Sequence, residues 1–201
     1  MIGQYNYTVV LTYVNLVFGI FGIFSALGNR LESSLVFLIL AGICDMFDGM
    51  VARTKKNRST YEKSYGIQID SLADIVSFCV LPVIMSFSIG NKGIISTLFH
   101  TLFILTGLIR LAHFNVTELE ISRTKQSRKY YSGLPVTSTT IIIPLFFTIS
   151  LFTNVMMRTT ILIGLPVVGI LFVSKIKIPK IRIPKSKIST PKSISKLEKA
   201  G

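Results

Sequence analysis

The chain is poor in charge and poorest in acid. Only 15% of its 201 residues are charged, half are apolar, and the mean hydropathy is +0.61. Soluble domains carry about 25% charged residues, so this balance excludes an ordinary water-soluble globule. Cysteine is nearly missing: Cys44 and Cys79 are the only two, and both fall inside apolar runs. That placement reads as buried thiols and excludes a disulfide framework. There is no Cys/His zinc pattern, no Gly-rich phosphate loop and no internal repeat of the transporter kind. Nine Asp and Glu stand against 22 Lys and Arg, a net charge of +13. Such an excess can point to nucleic acid, but on one face of a membrane protein anionic lipid headgroups explain it more simply.

What is present, above all, is long apolar sequence. Runs near the ~20 residues that cross a bilayer occur six times: Val9–Leu27, Ser34–Ala52, Gln68–Ile89, Gly93–Phe114, Gly133–Phe152 and Val155–Ser174. The first is not expected to be a cleavable signal, since no basic residue precedes it and no Ala-x-Ala-like site follows. Lys and Arg are unevenly divided among the junctions. Five lie between runs two and three (Arg53, Lys55, Lys56, Arg58, Lys63), five around the connection of runs four and five (Arg110, Arg123, Lys125, Arg128, Lys129), and nine from Lys175 to Lys199. The remaining junctions hold Arg30, Lys92 and Arg158. By the positive-inside rule, 19 against 3 predicts an all-α integral membrane protein of six transmembrane helices with both termini cytoplasmic. Residues 1–175 form the membrane domain on this reading. Residues 176–201 form a basic cytoplasmic tail whose prolines preclude a long helix, either a surface anchor or a mere orientation signal.

Four of the nine acids fall in two apolar stretches. Asp45 and Asp48 lie near the end of the second run, and Asp70 and Asp74 open the third. An ionised Asp there costs several kcal/mol unless something pairs with it. Spacings of three and four put each pair on one helix face. The two helices are consecutive and antiparallel, so the pairs share a depth, about 3–12 Å inside the cytoplasmic boundary at ~1.5 Å per residue. Facing carboxylate pairs suit one or two Mg²⁺ or Mn²⁺ ions, which take oxygen ligands. Gly49 and Ala52 flank the acidic face of the second run, leaving a ligand room to approach or two helices room to pack. Arg53, one turn below, either holds a phosphate or marks the membrane edge. Metals beside a basic rim suit phosphoryl transfer, with one acid free to act as general base on a hydroxyl.

Asp45-x-x-Asp48-Gly49-x-x-Ala52-Arg53 followed by Gly66-x-x-x-Asp70-x-x-x-Asp74 resembles the signature of the CDP-alcohol phosphotransferases, membrane enzymes usually built on six helices. Twelve residues separate Arg53 from Gly66, more than in many members. The run Asp70-Ser-Leu-Ala-Asp-Ile-Val-Ser-Phe-Cys-Val-Leu-Pro82 is similar to the phosphatidylserine synthase branch. So are Asn15-Leu-Val-Phe-Gly19, Tyr131-Ser-Gly-Leu-Pro135 and Arg110-Leu-Ala-His-Phe-Asn115, although His113 stands where that branch has Arg.

The resemblance implies transfer of a phosphatidyl group from a CDP-linked lipid, CDP-diacylglycerol or CDP-archaeol, to the hydroxyl of L-serine with release of CMP. It implies two divalent ions on Asp45, Asp48, Asp70 and Asp74, with Asp74 as the base, and a homodimer in the cell membrane with its site facing the cytoplasm. Asp48, Gly49, Ala52, Arg53 and Gly66 would line the donor pocket. Asn15 would face the donor or bond a neighbouring helix. Arg110 is the expected partner of the serine carboxylate, with Ser77, His113 and Asn115 as its neighbours. Two other readings stand beside this one. A sibling enzyme would take inositol phosphate or glycerol phosphate, using the basic residues from Lys55 to Lys63. A divalent-metal transporter would also bury carboxylates, but nearer the midplane and open to both sides.

Overall fold

A computed structural model describes residues 3, 7–55, 58–124, 130–153 and 156–179, without the side chains of 53, 122–124, 130–132, 153 and 177–179. Helices α1 (Tyr7–Leu27) and α2 (Leu31–Thr54) form a tight antiparallel hairpin. Its turn is three residues long because Asn29 adopts a left-handed φ of 57° and the Arg30 amide closes back on Ser25 O at 2.9 Å. Ser34 Oγ donates to Gly22 O across the pair at 2.9 Å, and Phe37 stacks on Phe18 and Phe21.

Helix α3 spans Thr60–Ser88. It begins at a reciprocal cap, in which the Glu62 amide donates to Ser59 Oγ and the Ser59 amide to Glu62 Oε2, both at 3.1 Å. A salt bridge of 2.9 Å from Lys55 Nζ to Glu62 ties the end of α2 to this start. Midway, Ile75–Val80 winds as a π-helical turn immediately before Pro82. Proline has no amide to donate and crowds the carbonyl four residues back, and the widened turn accommodates it without ending the helix. Two glycines let α3 lie hard against α1: a Cβ on Gly19 would overlap the Ser77 hydroxyl, and one on Gly22 would reach 2.7 Å from Leu81.

Helix α4 (Ile94–Thr124) is 31 residues, about 46 Å long at ~1.5 Å per residue. A 3-10 turn, Val136–Ser138, leads into α5 (Thr139–Thr153), and α6 (Met157–Val173) packs along α4 with Phe103 against Phe172 at 5.5 Å. Strands β1 (Tyr130–Ser132) and β2 (Lys177–Pro179) pair antiparallel and pin the segment before α5 to the chain leaving α6. The first residues of the expected tail thus belong to this ribbon; residues 180–201 lie outside the described ones. Leu38, Phe78, Leu81, Met85, Ile143, Ile161 and Leu165 fill the centre. Large apolar side chains such as Phe24, Ile94, Ile141 and Phe152 face outward, as befits contact with lipid rather than water. Cys44 and Cys79 are both free thiols.

Among the described residues, four helices are long and apolar enough to cross a membrane: Tyr7–Leu27, Leu31–Ala52, Thr60–Ser88 and Ile94–Ile121. Two more, Val136–Phe152 and Met157–Val173, are apolar but shorter. The third and fourth helices overrun the apolar runs expected from Gln68 and to Phe114. Hydropathy sees only the apolar part of a helix, whereas the cap at Ser59 starts α3 eight residues earlier than Gln68 and α4 continues through Glu118 and Glu120. The fifth begins late because Gly133 to Pro135 is a turn.

Candidate active site

The four aspartates meet where α2 and α3 cross. Carboxylate oxygens of Asp45, Asp70 and Asp74 all lie within 4.8 Å of one another. Asp48, one turn along α2 from Asp45, lines a cavity together with Asp70. Helix α1 supports both pairs from behind: Thr12 Oγ1 donates to Asp48 Oδ2 and Asn15 Nδ2 donates to Asp74 Oδ1, each at 3.1 Å. Asp48 and Asp74 are buried, and among the described residues no Lys, Arg or His forms a salt bridge with any of the four.

The donor set fits a hard divalent cation. Four carboxylates converge with no salt bridge to a Lys, Arg or His among the described residues, and Asp70 Oδ1 is buried with no hydrogen-bond partner among them. Oxygen-only ligands select Mg²⁺- or Mn²⁺-like ions over zinc, and the 4.8 Å spread is near the ~4.2 Å that separates oxygens across a six-coordinate Mg²⁺.

Two cavities share Asp70. The first, about 270 Å³, is lined by Asp45, Asp70 and Asp74 together with Arg110, Phe114 and the segment Pro135, Val136 and Thr137. Arg110 is only 8% exposed; its Nε donates to Leu134 O at 3.2 Å and its guanidinium lies 6.0 Å from the Phe114 ring centre. The carbonyl it uses belongs to a clamped turn. Gly133 has φ +76°, its amide donates to Ile176 O at 2.8 Å, and the Leu134 amide donates to Leu171 O at 3.2 Å. A side chain at Gly133 would be strained in φ and would also run into Phe172 O and Ser174 O, so only glycine suits this turn.

The second cavity, about 340 Å³, is lined by Thr12, Asp48, Gly49, Ala52, Arg58, Lys63, Gly66, Asp70 and Glu118. Gly49 has no heavy atom within 4 Å of where a Cβ would stand, so it is open wall and not a helix-packing glycine. Arg53 falls on α2 beside this cavity's residues in sequence, but its side chain lies outside the described ones.

The remaining expected residues stand elsewhere. Asn15 is fully buried behind Asp74 and also accepts, at its backbone oxygen, a 3.2 Å bond from Ser77 Oγ; neither residue lines a cavity at the acids. Asn115 is buried between α3 and α4, accepting from Ser71 Oγ at 2.7 Å and donating to Gln68 at 3.3 Å. His113 is exposed and lines neither cavity. Of the four residues expected around serine, Arg110 alone shares a cavity with the acids. Thr12 was not anticipated, yet Thr8, Thr12 and Asn15 are all buried on α1 at spacings of four and three. That is a legible polar stripe on an apolar helix. Arg58 and Lys63 were visible only as part of a basic loop.

A bundle of apolar helices whose large side chains face outward, with a carboxylate-rich cavity at one end, defines the class as a membrane protein with a polar, metal-competent site. The sequence profile of the CDP-alcohol phosphatidyltransferase family matches residues 5–170, and the chain belongs to that family. It is similar to the CDP-diacylglycerol–serine O-phosphatidyltransferase of Saccharomyces cerevisiae, 42% identical over 106 residues, 51% of this chain and 37% of the yeast protein. The enzyme of that name from Helicobacter pylori is 31% identical over 144 residues, 70% of this chain and 56% of the relative. The archaetidylserine synthase of Methanothermobacter thermautotrophicus is 30% identical over 139 residues, 69% of this chain and 56% of the relative. The chain thus spans from about a third to just over half the length of these curated relatives.

Proposed function

We propose that this protein transfers the phosphatidyl group of a CDP-linked lipid to the hydroxyl of L-serine, releasing CMP and forming phosphatidylserine or its ether-lipid analogue. The observation that carries the proposal is the first cavity, in which three signature aspartates and Arg110 face one space. The relatives named for serine transfer support the choice of acceptor. In this reading six helices span the cell membrane with both ends in the cytoplasm, as the uneven division of Lys and Arg supports, and the protein works as a homodimer with its site facing the cytoplasm.

Each residue then has a task. Asp45, Asp48, Asp70 and Asp74 hold two divalent ions, Mg²⁺ or Mn²⁺, which when bound neutralise the diphosphate and make the lipid-linked phosphorus electrophilic. Asn15 fixes one oxygen of Asp74, leaving the other to take the serine hydroxyl proton. The serine oxygen bonds to the lipid-linked phosphorus as the bond from that phosphorus to the bridging oxygen breaks, and CMP leaves with that oxygen. Arg110, held by Leu134 O, meets the serine carboxylate. Gly49, Ala52, Arg53 and Gly66 belong to the donor side, where Gly49 leaves the wall open to the diphosphate.

Arg58 and Lys63 line this donor-side cavity and not the one that holds Arg110, which weighs against a phosphorylated acceptor. The deciding experiment is CMP release by purified protein in detergent with a CDP-activated lipid and Mg²⁺ or Mn²⁺. Serine, inositol phosphate and glycerol phosphate are offered separately, with Asp74→Asn as control. Serine alone should drive release; a faster reaction with either phosphate would overturn the acceptor, and no release with any would return the site to metal transport.

A further inference from the structure

The segment joining the two acid pairs contributes an arginine to the donor-side cavity. Arg58 sits just ahead of the Ser59 cap and folds back across the gap between α2 and α3. Its Nη1 donates to Ala52 O at 3.5 Å and its Nη2 to Glu62 O at 3.2 Å. Both acceptors are neutral carbonyls. Among the described residues the one ion pair is Lys55 with Glu62, so Arg58 forms a salt bridge with none of them, although Asp48, Asp70 and Glu118 line the same cavity. Its Nε is buried and has no hydrogen-bond partner. A buried charged donor left open is costly, and a purely structural arginine would close its bonds within the protein. At the other end of the bundle Arg158, although exposed, does pair its Nε, which donates to Asn91 Oδ1 at 3.0 Å.

Gly66 supplies the second observation. A Cβ there would stand 2.8 Å from Arg58 Nη2, and nothing but the Arg58 guanidinium lies within 4 Å of it. The missing side chain at position 66 therefore makes room for one thing, the planar head of Arg58. That head faces a cavity with Asp48, Gly49 and Asp70, and a guanidinium fork matches phosphate oxygens in shape as well as charge.

We propose that Arg58 binds the diphosphate of the nucleotide-activated donor, and that Gly66 lacks a side chain in order to seat it. This rests on the function proposed above and adds a contact outside the signature residues. Calorimetric titration of CDP with Mn²⁺ into the purified full chain tests it without turnover, using wild type, Arg58→Ala, Arg58→Lys, Gly66→Ala and the Arg58→Ala/Gly66→Ala double variant. Melting temperatures without nucleotide are recorded in parallel.

Arg58→Ala should weaken CDP binding roughly tenfold or more, as expected for loss of a charge-assisted hydrogen bond. Lysine should restore only part of this, because it lacks the fork. Gly66→Ala should weaken binding in the same direction by displacing the guanidinium, and the double variant should be no worse than Arg58→Ala alone. In CMP release, the serine KM should stay constant across the series. Unchanged CDP affinity in Arg58→Ala overturns the proposal. So does a loss of affinity matched by a fall in nucleotide-free melting temperature, which would make Arg58 a tie between helices. Additive losses in the double variant overturn the role given to Gly66. A wild type that binds no CDP overturns the function itself and this contact with it, whereas equal binding by wild type and Arg58→Ala removes Arg58 alone.

Discussion

The two ends of the bundle treat buried polar groups in opposite ways. At the end away from the acids, Asn91 is fully buried, both N–H donors of its side-chain amide are used and its oxygen is bonded. Its Nδ2 donates to Ser86 Oγ and to Arg158 O, and its Oδ1 accepts from Arg158 Nε, all at 3.0 Å. Ser86 Oγ is also 2.9 Å from His100 Nε2. At the acid end, the buried side-chain atoms with no partner among the described residues are Asn15 Oδ1, Arg58 Nε and Asp70 Oδ1. Native proteins satisfy nearly all buried polar groups, so a cluster of exceptions marks where binding, not folding, is the use. The far end is a clasp joining the α3–α4 turn to α6, and the near end is a set of open valences.

That contrast is best broken at its strongest point. Asp74→Asn should lower CMP release roughly 10³-fold, in the range lost with a general base. Removing one charge from a crowded cluster should at the same time leave the metal-free melting temperature unchanged or higher, because like carboxylates no longer repel. Loss of activity together with loss of metal-free stability would mean the acids are structural and would erase the difference between the two ends. Metal removal is the companion measurement. EDTA should abolish release, and returning Mn²⁺ at about 100 times its Kd should stabilise wild type by about 2.7 kcal/mol. Asp70→Asn should lose most of that gain, since Asp70 carries the orphaned oxygen.

The clasp predicts the reverse pattern. Asn91→Ala leaves Arg158 Nε and Ser86 without a shared partner and should cost about 1–3 kcal/mol, read as a lower melting temperature in detergent. The serine KM and the CDP affinity of the protein that remains folded should not move. A change in either would couple the far end to the site.

The acid end was legible in the sequence because helical arithmetic is enough to find it. Spacings of three and four placed Asp45 with Asp48 and Asp70 with Asp74, and consecutive antiparallel helices brought the pairs together. What spacing does not convey is whether a side chain on that face opens into a cavity or is closed off by a neighbouring helix. Ser77 lies three residues beyond Asp74, which on a uniform α-helix keeps it near the acidic face. It does stay beside Asp74, since both bond Asn15, but its hydroxyl packs on Gly19 and donates to Asn15 O, so it lines no cavity at the acids. Arg110 and His113 share a helix and a motif, yet one is 8% exposed in the cavity and the other faces out. The difference comes from the Gly133 turn, a contact 24 residues away that apolar periodicity does not register. The clasp was missed for the same reason: Asn91, His100 and Arg158 are scattered, and only packing of α3, α4 and α6 joins them.

Gly49 offers the smallest and most selective test. Its surroundings are empty to 4 Å, so alanine there meets no neighbour, and a glycine-to-alanine change within a helix is worth about 0.5–1 kcal/mol in favour of the fold. A helix-packing glycine would behave oppositely, as Gly22 should, where a Cβ would press on Leu81 at 2.7 Å. Gly49→Ala should therefore raise the melting temperature slightly while raising the KM for the CDP-linked lipid, because the added methyl stands in the cavity that Asp48 and Asp70 line. Gly22→Ala should lower the melting temperature and leave that KM alone. If both variants merely destabilise, the open wall at Gly49 closes in the folded membrane protein, and the donor must approach the acids from the Arg110 side instead.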